Sequence, residues 1–170
     1  MAEIERTGIR EREPSGQSNY EKSFKAWMAL RERAFKGQIV IRGEDLPWES
    51  ARQGILKFYL SRDSNPTDSA NGLWEVLVHD IHTHSGEHRH QGGLVLYILE
   101  GEGYTEVDGV RVDWEAGDLL LLPLKKDGVV HKHYNKLQGM TSKWIAFIYR
   151  PLMDEVGMYI EQKQTAPTFK

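Results

Sequence analysis

From Gln38 onward the apolar residues of this chain recur at every second position, in short runs separated by turn-forming residues. The runs are QIVIR (38–42), GILKFYL (54–60), LWEVLVHDI (73–81), LVLYIL (94–99), YTEVDGVRV (104–112), DLLLL (118–122) and SKWIAFIYR (142–150). A period of two puts alternate side chains on opposite faces of an extended strand, so each run reads as a strand with one buried face. Between them stand SNPTDSANG, EGEG and EAGD, which are turn compositions. Asp108-Gly109, set between alternating valines, predicts a two-residue hairpin, because both central positions of that turn need positive φ. Only one segment before Gln38 has another period. Tyr20, Phe24, Trp27, Met28 and Phe35 fall at helical spacing, and Gly37 would end the helix they imply. Residues 1–19 mix charges with PSGQS and show no apolar period, which predicts a flexible arm. Many short strands in one small unit predict an all-β closed barrel or sandwich.

Length and charge narrow this picture. At 170 residues the chain suits one core. The predicted division is an N-terminal arm and helix (1–37), a barrel (38–150) and a C-terminal tail packing on it (151–170). A net charge of −3 supplies no basic field toward nucleic acid or an anionic membrane. The longest apolar run, LLLLPL at 119–124, is too short to span a bilayer. The charged N-terminus lacks the apolar core of a secretory signal, so a cytoplasmic protein is expected. Without cysteine there is no disulfide framework, thiolate site or Cys nucleophile.

The chemistry lies in the histidines. Five of seven fall between His79 and His90: His79, His82, His84, His88 and His90. His88 and His90 are two apart on an extended segment, so both imidazoles share a face and can converge on one ion. A third candidate comes from GVVHKHYN, where His131 and His133 stand some forty residues on. Strands distant in sequence become neighbours in a barrel, which allows a two-plus-one arrangement. Neutral imidazole suits Zn, Cu, Fe and Ni.

These spacings resemble the two motifs of the cupin superfamily. In the first, G-x5-H-x-H-x3/4-E-x6-G, His88 and His90 take the histidine places and Gly101 the closing glycine. Leu94 stands at the glutamate place and His82 at the opening glycine. The second, G-x5-P-x-G-x2-H-x3-N, matches Gly117, Pro123, Gly128, His131 and Asn135, with three extra residues between Pro123 and Gly128. Counting back from Gly101 selects His90 and leaves His79, His82 and His84 as loop or outer-shell residues. The resemblance implies a double-stranded β-helix (jelly-roll) barrel with a metal at His88, His90 and His131.

Losing the glutamate leaves three neutral ligands and the full dipositive charge of an ion, which favours an anionic, chelating substrate. A narrower resemblance agrees with this. HRH, EGEGYTEVDG, AGDLLLLP and HKHYN look like the gentisate, salicylate and hydroxynaphthoate ring-cleaving dioxygenases, and the length suits the shorter dihydroxyacetophenone-type enzymes. The resemblance implies Fe(II), with Zn, Mn or Ni as alternatives, a small hydroxylated aromatic substrate, O2 as co-substrate and a homodimer or higher homo-oligomer. Strand alternation turns Arg89, between the two ligands, away from them as an ion-pairing residue. His133, which shares a face with His131 on a regular strand, is a candidate acid–base residue, substitute ligand or second-sphere donor, and Asn135 a structural element of the motif. Two other readings stand beside the dioxygenase one: a different metal-dependent enzyme on the same barrel, such as a decarboxylase or isomerase, and a non-catalytic small-molecule-binding cupin.

Overall fold

The computed structural model describes residues 18–61 and 69–170. The arm expected over 1–19 therefore lies, up to residue 17, outside the described residues. Helix α1, Asn19–Lys36, begins where Ser18 accepts the Glu21 N–H at 3.2 Å and ends where Gly37 donates to the Arg33 carbonyl. None of its residues is buried, and Tyr20, Phe24, Trp27 and Phe35 all project into solvent.

Eleven strands follow among the described residues: β1 Glu49–Ala51, β2 Gly54–Leu60, β3 Trp74–Ile81, β4 His88–His90, β5 Val95–Glu100, β6 Glu102–Val107, β7 Val110–Glu115, β8 Leu119–Leu121, β9 Val129–Asn135, β10 Ser142–Tyr149 and β11 Glu161–Gln162. A short helix α2, Arg150–Glu155, lies between β10 and β11. The strands form two antiparallel sheets, ordered β1-β2-β3-β10-β5-β8 and β11-β4-β9-β6-β7. Alternation decides what lies between them. Leu96 and Ile98 of β5, Leu120 of β8, Trp114 of β7 and Trp144, Ala146 and Ile148 of β10 point inward and form one cluster. Each large side chain removed from water there is worth about 1.5–3 kcal/mol. Asp108 and Gly109 sit at φ 49° and 81°, the two left-handed residues that the β6–β7 hairpin requires.

The six-stranded sheet does not have a polar exterior. Val95, Tyr97 and Leu99 of β5 and Leu119 and Leu121 of β8 all face outward and are exposed, continuing onto Phe147 and Tyr149 of β10.

One expected strand is absent. In QIVIR only Gln38 pairs, in an isolated parallel bridge to Ser69, while Ile39 and Val40 are 85% and 63% exposed. The sheet edge that segment would have extended is already filled by β1, folded back on β2. The polar sequences of β1 and β11 hide both strands from a hydrophobic pattern. The three extra residues Lys125, Lys126 and Asp127 lie at a turn closed by Gly128 N–H on the Lys125 carbonyl at 3.1 Å. Lys125 also pairs with Asp108 of the neighbouring hairpin at 2.7 Å.

Candidate metal centre

Sheet register brings the three distant imidazoles together. In the β4–β9 ladder His88 lies directly opposite His131, and His90, two residues on, shares the inward face of His88. One nitrogen from each of His88, His90 and His131 lies within 4.8 Å of the others. Ring centroids are 4.2 Å apart for His88–His131, 4.7 Å for His90–His131 and 5.4 Å for His88–His90. All three side chains are buried. Burial disfavours the charged ring, so the pKa of His88 is lowered, that of His90 falls to about 4 and that of His131 to about 2; mutual repulsion among the rings lowers the latter two further. The site therefore presents neutral imidazoles, the form that ligates.

The chemistry of this donor set fits a divalent transition metal. His88 Nδ1 faces the Gly86 carbonyl and His131 Nδ1 the Val129 carbonyl, each at 3.2 Å. Those contacts put the ring proton on Nδ1 and leave Nε2 with a free lone pair, the usual second-sphere arrangement of ligating histidines. His90 differs: its Nδ1 accepts the Gly92 N–H at 2.9 Å. Its neutral ring thus carries the proton on Nε2, and ligation through Nε2 would need the other tautomer, with Nδ1 protonated and the Gly92 contact given up. Leu94 occupies the wall of the same cavity, 8% exposed, and among the described residues no carboxylate joins the set.

The cluster lies in a cavity of about 290 Å³, near the lower end of ordinary ligand pockets. Leucines, Phe58, Ile148 and Met153 supply most of its wall, with Arg52, Gln53, Glu75 and Gln162 as polar members. His133 also lines it, with its ring 5.5 Å from that of His131 and outside the three-nitrogen cluster. Arg89 points out of the barrel toward Glu161 of β11 at 3.5 Å. Asn135 ties the end of β9 together: its Nδ2 faces the carbonyls of His82, Leu137 and Met140, and its Oδ1 accepts from Leu137 N–H and Ser142 Oγ. His82 and His84 lie outside the cluster, as expected, His82 near Asp80 at 3.7 Å and His84 near the Ser85 carbonyl at 2.9 Å.

His79 is not a loop residue: of the two expected placements, the outer one beside the site is what the strand gives it. It stands on the inward face of β3, 2% exposed, its ring edge-on to Trp144 at 4.9 Å. Gly54 on the adjacent strand makes the room; a Cβ there would collide with His79 Nε2. The signal was available in the alternation Leu77, His79, Ile81. Thr105, whose hydroxyl lies 2.7 Å from His133 Nδ1, carries no sequence signal, because nothing in the spacing of an ordinary strand threonine marks it.

Two sheets closing on a histidine pair from one strand and a third histidine from the strand beside it agree with the sequence comparison. Residues 76–148 match the cupin domain family. The cupin barrel expected from the two motifs is the observed fold. An acireductone dioxygenase of Yarrowia lipolytica is 32% identical over 103 residues, covering 52% of this chain and 58% of that protein. A 5-aminosalicylate 1,2-dioxygenase of a Comamonas species is 31% identical over 81 residues, covering 47% of this chain and 20% of that protein. The chain thus spans little more than half the length of the first of these relatives and a fifth of the second. The crystal structure of salicylate 1,2-dioxygenase from Pseudoaminobacter salicylatoxidans, in its adduct with gentisate, superposes with a TM-score of 0.53 at 19% identity. That match covers 83% of this chain and 36% of the other, and it shows the shared cupin fold.

Proposed function

We propose that this chain is a metal-dependent dioxygenase that cleaves a carbon–carbon bond of a small hydroxylated aromatic compound with O2, and that His88, His90 and His131 would hold its Fe(II). The observation that carries the reading is a set of three buried neutral imidazoles, with leucine at the carboxylate place, in the wall of a mostly apolar cavity. The dioxygenase names of the relatives point the same way. Fe(II) bound there would supply a redox-active Lewis acid with open positions for an electron-rich substrate and O2. The chain's own part is positioning. Carbonyl contacts at Nδ1 fix the His88 and His131 rings, and the leucine-rich wall excludes water and packs the aromatic face. Three neutral ligands leave the ion's charge uncompensated, which favours a phenolate or carboxylate over a neutral ligand. Both atoms of O2 enter the product as the carbon–carbon bond breaks. His133 belongs to the same cavity as an acid–base or second-sphere residue.

The proposal extends to a cytoplasmic protein organised as arm and helix (1–37), barrel (38–150) and packing tail (151–170). It also includes a homo-oligomer, supported by the apolar outer face of the six-stranded sheet and the unpacked apolar side of α1. The test is anaerobic loading with Fe(II), then O2 consumption over hydroxybenzoates, acylphenols and acireductone. Substrate-dependent uptake with a hydroxylated aromatic is expected. Uptake with acireductone alone would overturn the aromatic assignment, and no uptake across the panel would overturn the dioxygenase reading.

A further inference from the structure

Beside the three-nitrogen cluster, a chain of hydrogen bonds ends on His133. Trp114 Nε1 donates to Thr105 Oγ1 at 2.9 Å, and Thr105 Oγ1 lies 2.7 Å from His133 Nδ1. Thr105, His133 and Trp114 are 0%, 1% and 4% exposed, so water does not intervene. Indole nitrogen is a donor only, which fixes the first bond's direction. The second follows by counting hydrogens. If His133 Nδ1 carried a proton, Thr105 would receive two N–H groups and its own O–H would have no acceptor among the described residues. If Nδ1 is bare, Thr105 donates to it, and the buried Trp114 N–H, Thr105 O–H and His133 Nδ1 all have partners, leaving only the cavity-facing ring nitrogen without one. The ring's remaining hydrogen then sits on Nε2. No described residue accepts a hydrogen bond from that atom, and the residue lines the cavity.

We infer that Thr105 and Trp114 hold His133 as the Nε2–H tautomer, making it a fixed hydrogen-bond donor to an oxygen of whatever the cavity binds and not a fourth metal ligand. The inference rests on the proposed use of this cavity but adds a role to residues that use does not name. The backbone is built for it. Register sets Thr105 directly opposite His133 in the β6–β9 ladder. Ser85, itself fully buried, clamps the His133 main chain on both sides: its N–H donates to the His133 carbonyl at 2.8 Å, and its Oγ accepts the His133 N–H at 2.9 Å. Gly103 leaves the space the Trp114 indole fills, since a Cβ there would overlap it. Thr105 and Trp114 are thus positioning residues that act through the ring they orient.

The test uses the full chain labelled with 15N at histidine and loaded with zinc, a diamagnetic stand-in. In the wild type, His133 should show a pyridine-type Nδ1 and a pyrrole-type Nε2. Thr105→Val removes the hydroxyl, and Trp114→Phe frees that hydroxyl to accept instead of donate; both variants should give a mixture of tautomers. Folding of each variant is read from the unchanged resonances of His88 and His131. Zinc affinity should fall less than about threefold in His133→Ala and more than about 100-fold in His131→Ala. A protonated His133 Nδ1 in the wild type, a tautomer unmoved in folded Thr105→Val, or equal zinc loss in the two alanine variants would each overturn the inference. None of these measurements needs turnover, so absence of O2 consumption would count against the dioxygenase reading alone.

Discussion

Acidification should unfold the metal-free barrel from within. Burial lowers the pKa of His79 from 6.5 to about 3, of His90 to about 4 and of His131 to about 2, and holds that of His133 well below 6.5. Each ring is neutral in the folded protein at pH 5.5, whereas in the unfolded chain it titrates near 6.5. The unfolded state therefore binds more protons, and stability is complete above pH 6.5 and lost as the pH falls toward the folded values. At pH 5.5, one unit below the unfolded value, each ring that stays neutral on folding costs about 1 kcal/mol, so the four together cost on the order of 5 kcal/mol. That is a large part of the about 5–15 kcal/mol that holds a typical domain together. Urea unfolding of the metal-free protein at pH 7.5 and 5.5 measures it. The expected result is a fall of about 4–6 kcal/mol, with a net proton uptake on unfolding that rises from less than about one at pH 7.5 to about three to four at pH 5.5. Saturating zinc at pH 7.5 should raise the midpoint, since the ion binds only the folded cluster. An unfolding free energy that changes by less than about 1 kcal/mol between the two pH values would refute the reasoning, because the rings would then be charged in the folded state.

Three further outcomes follow from other parts of the structure. Leu94→Glu should raise iron affinity at least about tenfold by adding an anionic ligand, while costing the metal-free protein about 2–4 kcal/mol for a buried, unpaired carboxylate; calorimetric titration and urea melts read the two effects separately. Gly54→Ala should lower the melting temperature by about 5–10 °C, because Gly54 sits at φ 145° and its Cβ would overlap His79. Circular dichroism melts report this, and an unchanged midpoint would mean that His79 can leave its place freely. Tyr97→Glu with Leu121→Glu should shift the sedimentation coefficient from that of an oligomer to that of a monomer without loss of bound zinc.

Much of this arrangement was legible before any coordinates, and the exceptions share a cause. His88, His90 and His131 could be selected because an extended segment fixes which residues share a face and the motif spacing fixes which turn closes behind them. Leu94 could be read as a missing carboxylate on the same grounds. The motif count leaves His79 outside the ligand set, and the alternation of β3 is what points it inward with Leu77 and Ile81. QIVIR has the composition of a strand, but apolar content alone does not tell whether a sheet edge is free. The polar triplet Glu49–Ala51 holds that edge through backbone pairing, which a hydrophobic pattern does not record. Thr105 was invisible for another reason: its importance lies in the direction of one hydroxyl hydrogen, fixed by an indole nine residues away.

The outward row of Val95, Tyr97, Leu99, Leu119 and Leu121 has a consequence for how the molecule is handled. A surface of that kind is at rest only when something dry lies against it. If a second copy does so, separation and melting become one event, and the midpoint of denaturation must climb with the logarithm of protein concentration. Dilute samples would then lose the barrel, and with it the imidazole cluster, under conditions in which concentrated ones keep both.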